Sequence, residues 1–188
     1  MNSILIILAH PSLHKSRVNK AMIERVRHIE GVTVHNLYDT YPDFDIDVAA
    51  EHKLLERHAA IILQHPFFWY SCPSMMKEWL DRTLTLSWAY GEGGTALQCK
   101  VMMSAITTGG AAHAYHPAGQ NRYPMNEFLL PFDQTAHLCG MTYLEPLIFH
   151  SALRATAQDI NLHAQTYEER VLALRDGLPL PLFAGLKR

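Results

Sequence analysis

The sequence predicts a single α/β domain: a five-stranded parallel sheet with helices on both faces. Three observations carry this. Five short apolar runs, opening at Ile4, Val32, Ala59, Val101 and Met141, alternate with segments of helical periodicity, and alternation of that kind builds parallel sheets. The runs Ile4 to Ala9 and Val101 to Ile106 are nearly continuous in apolar residues, as strands covered on both faces are. The chain of 188 residues is long enough for one substantial core.

The elements follow in order. Ile4 to Ala9 is the first strand, ended by His10-Pro11. The loop His14-Lys15-Ser16 leads into a helix that Ser16 caps, with Val18, Met22, Val26 and Ile29 at helical spacing and Gly31 closing it. Such a helix start offers unpaired N–H groups and a positive dipole end, a natural phosphate seat. Val32 to Leu37 is the second strand. An aromatic and acidic connection, Tyr38 to Asp47, precedes a helix from Val48 to His58. Ala59 to Gln64 is the third strand.

After it come His65, Pro66, Phe67, Phe68, Trp69 and Tyr70. Four consecutive aromatics in a strand-to-helix loop either stack on a ligand or plug the core. Ser74 is expected to cap the next helix, which carries Met75, Trp79 and Leu80. The fourth strand, Val101 to Ile106, runs into Thr107-Thr108-Gly109-Gly110. Small side chains and glycine at the carboxyl end of a strand let a flat ligand approach the backbone closely. Ala111 to Pro124 is long for a loop and reads as a lid or binding loop. Asn126 to Gly140 is a helix in which Pro131 is expected to kink the chain or shift the start. Met141 to His150 holds the last strand and Thr156 to Leu174 the last helix. The stretch 178–188 is expected to be a loose tail or an oligomer contact. With short right-handed crossovers the strand order becomes 2-1-3-4-5, with a ligand site at the switch point.

Composition limits the function. Apolar residues make up 48%, charged residues 18%, and the formal net charge is −2. That balance is globular and carries no basic footprint for nucleic acid. Cys72, Cys99 and Cys139 form no CxxC pair, which suits a reducing compartment. The first residues carry no basic stretch, and the apolar run after them is too short for a signal or a membrane span. A cytoplasmic protein is expected. Twelve histidines raise the question of a metal, but HExxH and clustered Cys/His spacings are missing, so none is expected.

A set of motifs now stands together: Ala9-His10-Pro11, Ser16-x-x-Asn19, Tyr41-Pro42-Asp43-Phe44, Gln64-His65-Pro66-x-x-Trp69-Tyr70-Ser71, Lys77-x-Trp79-Leu80-Asp81, Trp88-Ala89-Tyr90-Gly91-x-Gly93-Gly94 and Thr107-Thr108-Gly109-Gly110. Jointly they resemble the flavodoxin-like NAD(P)H:quinone oxidoreductases, and most closely the ancillary proteins of glutathione-regulated potassium-efflux systems. The resemblance runs to about residue 175. It implies a flavodoxin-like three-layer sandwich, bound FMN (with FAD as the alternative), NADH or NADPH as electron donor, a quinone as acceptor, and a homodimer. A further implied partner is the cytoplasmic face of a potassium-efflux antiporter, which would place the protein at the periphery of the inner membrane.

Carried over by resemblance, His10, Ser16, Arg17, Val18 and Asn19 would hold the ribityl phosphate. Pro66, Phe67, Phe68, Trp69 and Tyr70 would line the isoalloxazine, and Thr107, Thr108, Gly109 and Gly110 its pyrimidine end. Tyr115 would sit over the flavin face. The mammalian quinone reductases place a histidine six residues beyond that tyrosine; here Asn121 stands there. His113 or His116 would have to substitute, or the hydroquinone would take its proton from water. The expected reaction is ping-pong: nicotinamide delivers hydride, departs, and a quinone stacks in its place. Two rivals follow. One is a regulatory subunit of the antiporter in which flavin chemistry is secondary. The other is a one-electron carrier, which gains nothing from a stacking slot and usually shows an acidic surface this chain lacks.

Overall fold

A computed structural model describes residues 1–185. Strand β1 (Ile4–Leu8) is buried along its length. It is flanked in parallel by β2 (Val32–Asn36) and β3 (Ala60–Pro66). β4 (Val101–Thr107) continues beyond β3 and carries β5 (Thr142–Tyr143) and β6 (Leu147–Phe149) along its other side, all parallel. The order is β2-β1-β3-β4-β5, with β6 also on β4. The chain thus adopts the expected flavodoxin-like α/β order.

Side chains on a strand alternate between faces, and β1 shows it directly. Leu5 and Ile7 face one apolar cluster, with Leu55, Trp79, Leu129 and Phe132. Ile4, Ile6 and Leu8 face the other, with Val18, Met22, Ile160 and Tyr167. Helices α1 (Arg17–Val26) and α6 (Ala157–Arg175) therefore cover one side. Helices α3 (Val48–Glu56), α4 (Ser74–Thr83) and α5 (Met125–Leu138) cover the other.

Three local expectations change. Leu37 leaves the second strand and opens a helical turn, α2 (Leu37–Thr40). The last strand is two pieces rather than one, so the sheet has six strands. The Glu145 N–H turns away to the Pro181 carbonyl at 2.9 Å, and Pro146 has no N–H to offer a ladder. Ser74 is the first residue of α4, and Pro73 stands in the cap position without a side-chain bond. Pro131 lies inside α5 without ending it; the Thr135 hydroxyl donates to its carbonyl at 2.7 Å.

The expected loose tail is tied down as far as Phe183. The Phe183 N–H donates to the Tyr143 carbonyl at 3.1 Å, Leu182 and Leu144 form an antiparallel bridge, and the Phe183 and Tyr143 rings lie 5.1 Å apart. Residues 186–188 of that stretch lie outside the described residues. No described helix is long and apolar enough to cross a membrane.

Candidate functional site

A cleft of about 680 Å³ opens where β1, β3 and β4 end and α1 begins. One end is built by α1. Ser16 caps it, its hydroxyl accepting the Asn19 N–H at 3.3 Å. The N–H groups of Arg17 and Val18 find no acceptor among the described residues, as expected for the first turn of a helix. Lys15 and Arg17 bring positive charge to the wall, and no carboxylate lines it. The Arg17 guanidinium donates to the Ala155 carbonyl at 2.9 Å, which ties it to the loop before α6. His10 Nδ1 accepts the Ser12 N–H at 3.1 Å. Burial lowers the His10 pKa, partly opposed by its own backbone bond and reinforced by His14. His10 is thus a neutral ring whose proton sits on Nε2.

Asn19 does not reach this wall. It is 1% exposed, its amide donates to Thr107 Oγ1 at 3.0 Å, and its carbonyl oxygen accepts from the Gln64 amide at 3.1 Å. Asn19 braces α1 against β3 and β4, and so supports the seat from behind.

The other wall is the loop after β3. Phe67 N–H donates to the Thr107 carbonyl at 2.8 Å, which extends the β3–β4 pairing past Pro66 and leaves Phe67 buried. Beyond it Phe68 is partly exposed and Trp69 is 93% exposed. Trp69 and Tyr70 both adopt left-handed backbone, with φ of 47° and 62°. Side chains rarely adopt that conformation, which costs about 1 kcal/mol or more per residue and gathers at functional sites. Thr107, Thr108 and Gly109 form the floor. A Cβ at Gly109 would meet nothing within 4 Å, so its Cα faces open space. The N–H groups of Gly109 and Gly110 have no acceptor among the described residues. The cleft therefore presents free N–H donors at both ends and aromatic surface between them. That donor set fits a flat aromatic ligand with an anionic tail.

A second cleft, about 310 Å³, adjoins the first and shares Phe67, Trp69 and Gly109 with it. Here lie Tyr70, Gly110, Tyr115 and Asn121. Tyr70 and Gly110, expected beside the flavin, thus line this second cleft and not the first. The Tyr70 hydroxyl donates to Asn121 Oδ1 at 3.3 Å, and its ring stacks on Phe128 at 5.2 Å. A Cβ at Gly110 would come within 3.2 Å of the Tyr115 hydroxyl, so a larger residue there would press on the tyrosine. Burial pushes the Tyr115 phenol above its usual pKa. Tyr115 therefore stays protonated and able to donate.

His113 and His116 line neither cleft; His116 Nδ1 accepts the Ala118 N–H at 3.2 Å. The imidazole beside Tyr115 belongs to His150, whose ring lies 5.4 Å from that of Tyr115 and whose Nδ1 is 3.0 Å from Thr108 Oγ1. Sequence reasoning missed His150, as it missed Ser12, Lys15, Ala152 and Leu153 on the first cleft. Lys15 alone had a signal, a cation one residue before a helix cap. Among the described residues no group of three or more His, Cys, Asp or Glu is placed to hold a metal ion.

Comparisons with known proteins agree with this fold. A family model described as flavodoxin-like fold matches residues 2–171. A glutathione-regulated potassium-efflux system ancillary protein, KefG of Erwinia tasmaniensis, is 44% identical over 164 residues, which is 87% of this chain and 89% of that one. Among solved structures, the general stress protein 14 of Treponema denticola in complex with FMN is 40% identical, with a TM-score of 0.86, covering 94% of this chain and 99% of that one. An NADPH-quinone reductase from P. pentosaceus is 28% identical with a TM-score of 0.82, covering 89% and 96%.

Proposed function

This chain belongs to the flavodoxin-like family, beside the potassium-efflux ancillary proteins, and from that premise we propose that it is an FMN-dependent NAD(P)H:quinone oxidoreductase and an ancillary subunit of a potassium-efflux system. The observation that carries the reading is the pair of adjoining clefts. One suits a flat ligand with an anionic tail. The other shares Phe67, Trp69 and Gly109 with it and offers a protonated phenol. A solved relative binds FMN, and another is named a quinone reductase.

FMN, when bound, supplies the two-electron chemistry between nicotinamide and quinone. The chain's residues bind and orient. The N–H groups of Arg17 and Val18, with Ser16 and Lys15, would take the phosphate at the start of α1, and the relative solved with FMN favours FMN over FAD. Trp69 and Phe68 cover an aromatic face. The Gly109 N–H at the floor would donate to the ring edge and stabilise negative charge there. Tyr115 donates its O–H to a carbonyl oxygen of the acceptor, and Asn121, held by Tyr70, closes the far side. NADH or NADPH and the quinone take this second cleft in turn.

The same chain works as a homodimer. The exposed groove between α4 and α5, lined by Leu80, Leu84, Tyr90, Phe128 and Leu138 among others, is the apolar face a second copy would cover. The antiporter role rests on the named relatives and has its own test.

The experiment is a visible spectrum of the purified protein with FMN, then with NADPH, then with a benzoquinone. Bleaching by NADPH and recovery with quinone is the expected result. A protein that takes up no FMN overturns the cofactor assignment. Steady-state lines that intersect instead of running parallel overturn the shared cleft. Co-purification with the antiporter supports the ancillary role, and its absence from the cell's own transporters removes it.

A further inference from the structure

We propose that His150 is a positioning residue for the second cleft: its Nδ1–H bond to Thr108 sets the Thr108–Gly110 turn, and that turn sets the Tyr115 phenol that meets the acceptor. The proposal rests on the quinone-reductase reading and names a residue that reading does not need.

The argument is a chain of donors. The Thr108 hydroxyl has one proton, and it donates that proton to the Gly110 carbonyl at 2.7 Å. At the His150 contact of 3.0 Å the threonine oxygen is therefore the acceptor. The imidazole must carry its proton on Nδ1, and Nε2 is left with a lone pair. No described residue donates to that Nε2.

Backbone bonds hold the same assembly. Thr108 N–H donates to the Phe149 carbonyl at 2.8 Å, Ser151 N–H to the Gly110 carbonyl at 3.0 Å, and Ala152 N–H to the Thr108 carbonyl at 2.9 Å. Residues 149–152 are thus fastened to 108–110, and Ser151 takes a left-handed φ of 58° to make the turn. The Tyr115 ring rests on Gly110, within van der Waals reach of where a Cβ would stand. Its other neighbours are the edges of Phe67 and Phe128 and the tilted face of His150. A shift of the Gly110 carbonyl moves the surface under the phenol. His150 controls that carbonyl through one hydroxyl. Burial also lowers the His150 pKa, which keeps the ring in the neutral form this bond pattern requires.

Two substitutions separate the bond from the bulk. In His150→Asn the side-chain amide N–H replaces Nδ1–H while the ring is lost. In His150→Phe the ring stays and the donor is lost. His150→Phe is expected to raise the KM for a benzoquinone about five- to tenfold, the size of one neutral hydrogen bond lost. Flavin reduction by NADPH, followed alone by stopped flow, should stay within about twofold of the parent. His150→Asn should keep the parent KM. Thr108→Val should raise the benzoquinone KM at least as much as His150→Phe does, and the double variant should be no worse in that KM than Thr108→Val alone.

A readout independent of turnover is the imidazole 15N spectrum of the flavin-free protein. It should show a protonated Nδ1 and an unprotonated Nε2. The reverse tautomer overturns the proposal, as do equal KM changes in His150→Asn and His150→Phe. Loss of both half-reactions together with folding stability would mean packing alone and would also overturn it. A parent protein that does not reduce quinones would instead fail the function reading, while a wrong tautomer in an active protein fails only this proposal.

Discussion

After β2 the chain carries Tyr41, which is 7% exposed; after β3 it carries Trp69, which is 93% exposed. Both belong to aromatic stretches beside Pro42 and Pro66. Tyr41 donates its hydroxyl to Glu51 Oε1 at 2.5 Å, His35 meets the same oxygen at 2.8 Å, and Trp79 donates to Glu51 Oε2 at 2.7 Å. Around Trp69 the backbone is left-handed and no protein group takes the indole N–H among the described residues. An aromatic residue whose polar tip is matched inside the protein is structural, while one left open on a strained loop is waiting for a face to cover. The difference lies in the partners, and the loops' compositions do not reveal it.

The sharpest way to break this comparison is Glu51→Gln. A buried carboxylate with three donors becomes an amide with one acceptor, and stability is expected to fall by about 3 kcal/mol. FMN affinity should not change. Chemical denaturation and a flavin titration on the same variant check both halves, and a large loss of flavin binding with intact stability would reverse the assignment.

Acid separates the regions next. Burial pushes His65, under the cleft, down to about 4. Its folded pKa lies below the unfolded value, so the unfolded chain binds more protons and stability falls as pH drops from about 6.5 to about 4, by about 3 kcal/mol. Burial raises the Glu51 pKa, but bonds from His35, Tyr41 and Trp79 outweigh it and leave the carboxyl below its usual value. Its contribution is present above the unfolded glutamate range and is lost as pH falls through the lowered value. The histidine limb therefore precedes the glutamate limb on acidification. Melting curves of His65→Asn, which keeps the bond to the Pro66 carbonyl, should show a smaller first limb, the remainder belonging to His163, which burial also pushes down to about 4, and should retain the second.

Trp69→Ala should weaken FMN about tenfold, within the range for losing one aromatic stacking face, and should leave stability unchanged. Flavin fluorescence against melting temperature reads that contrast. The smallest effect is expected for Tyr70→Phe. It removes an exposed 3.3 Å bond to Asn121, costs about 0.5 kcal/mol or less, and should show in the quinone KM rather than in folding.

Much of this was legible beforehand for a local reason. The strands are apolar runs, α1 has its cap in the sequence, and Thr107 to Gly110 advertise a floor because glycine and small hydroxyl residues there serve the backbone. What stayed hidden depends on distant partners. Asn19 follows a helix cap and reads as phosphate contact, but Gln64 and Thr107 turn it inward. His150 is one of twelve histidines, and only the pairing of β6 with β4 brings it to Thr108. The break of the last strand needs the Pro181 carbonyl, which no window around Glu145 contains. Tyr41 and Trp69 look alike until Glu51 is placed.

The strap from Pro181 to Phe183 lies along the outermost strand of the sheet. An open strand border is a template on which further chains can add, the usual beginning of aggregation. By spending two backbone bonds on residues 143–145, the chain covers this border of its sheet and denies that template to others. A version shortened after Gly177 would fold around the same core with a sticky flank, and would be expected to precipitate on concentration while the full chain stays dispersed.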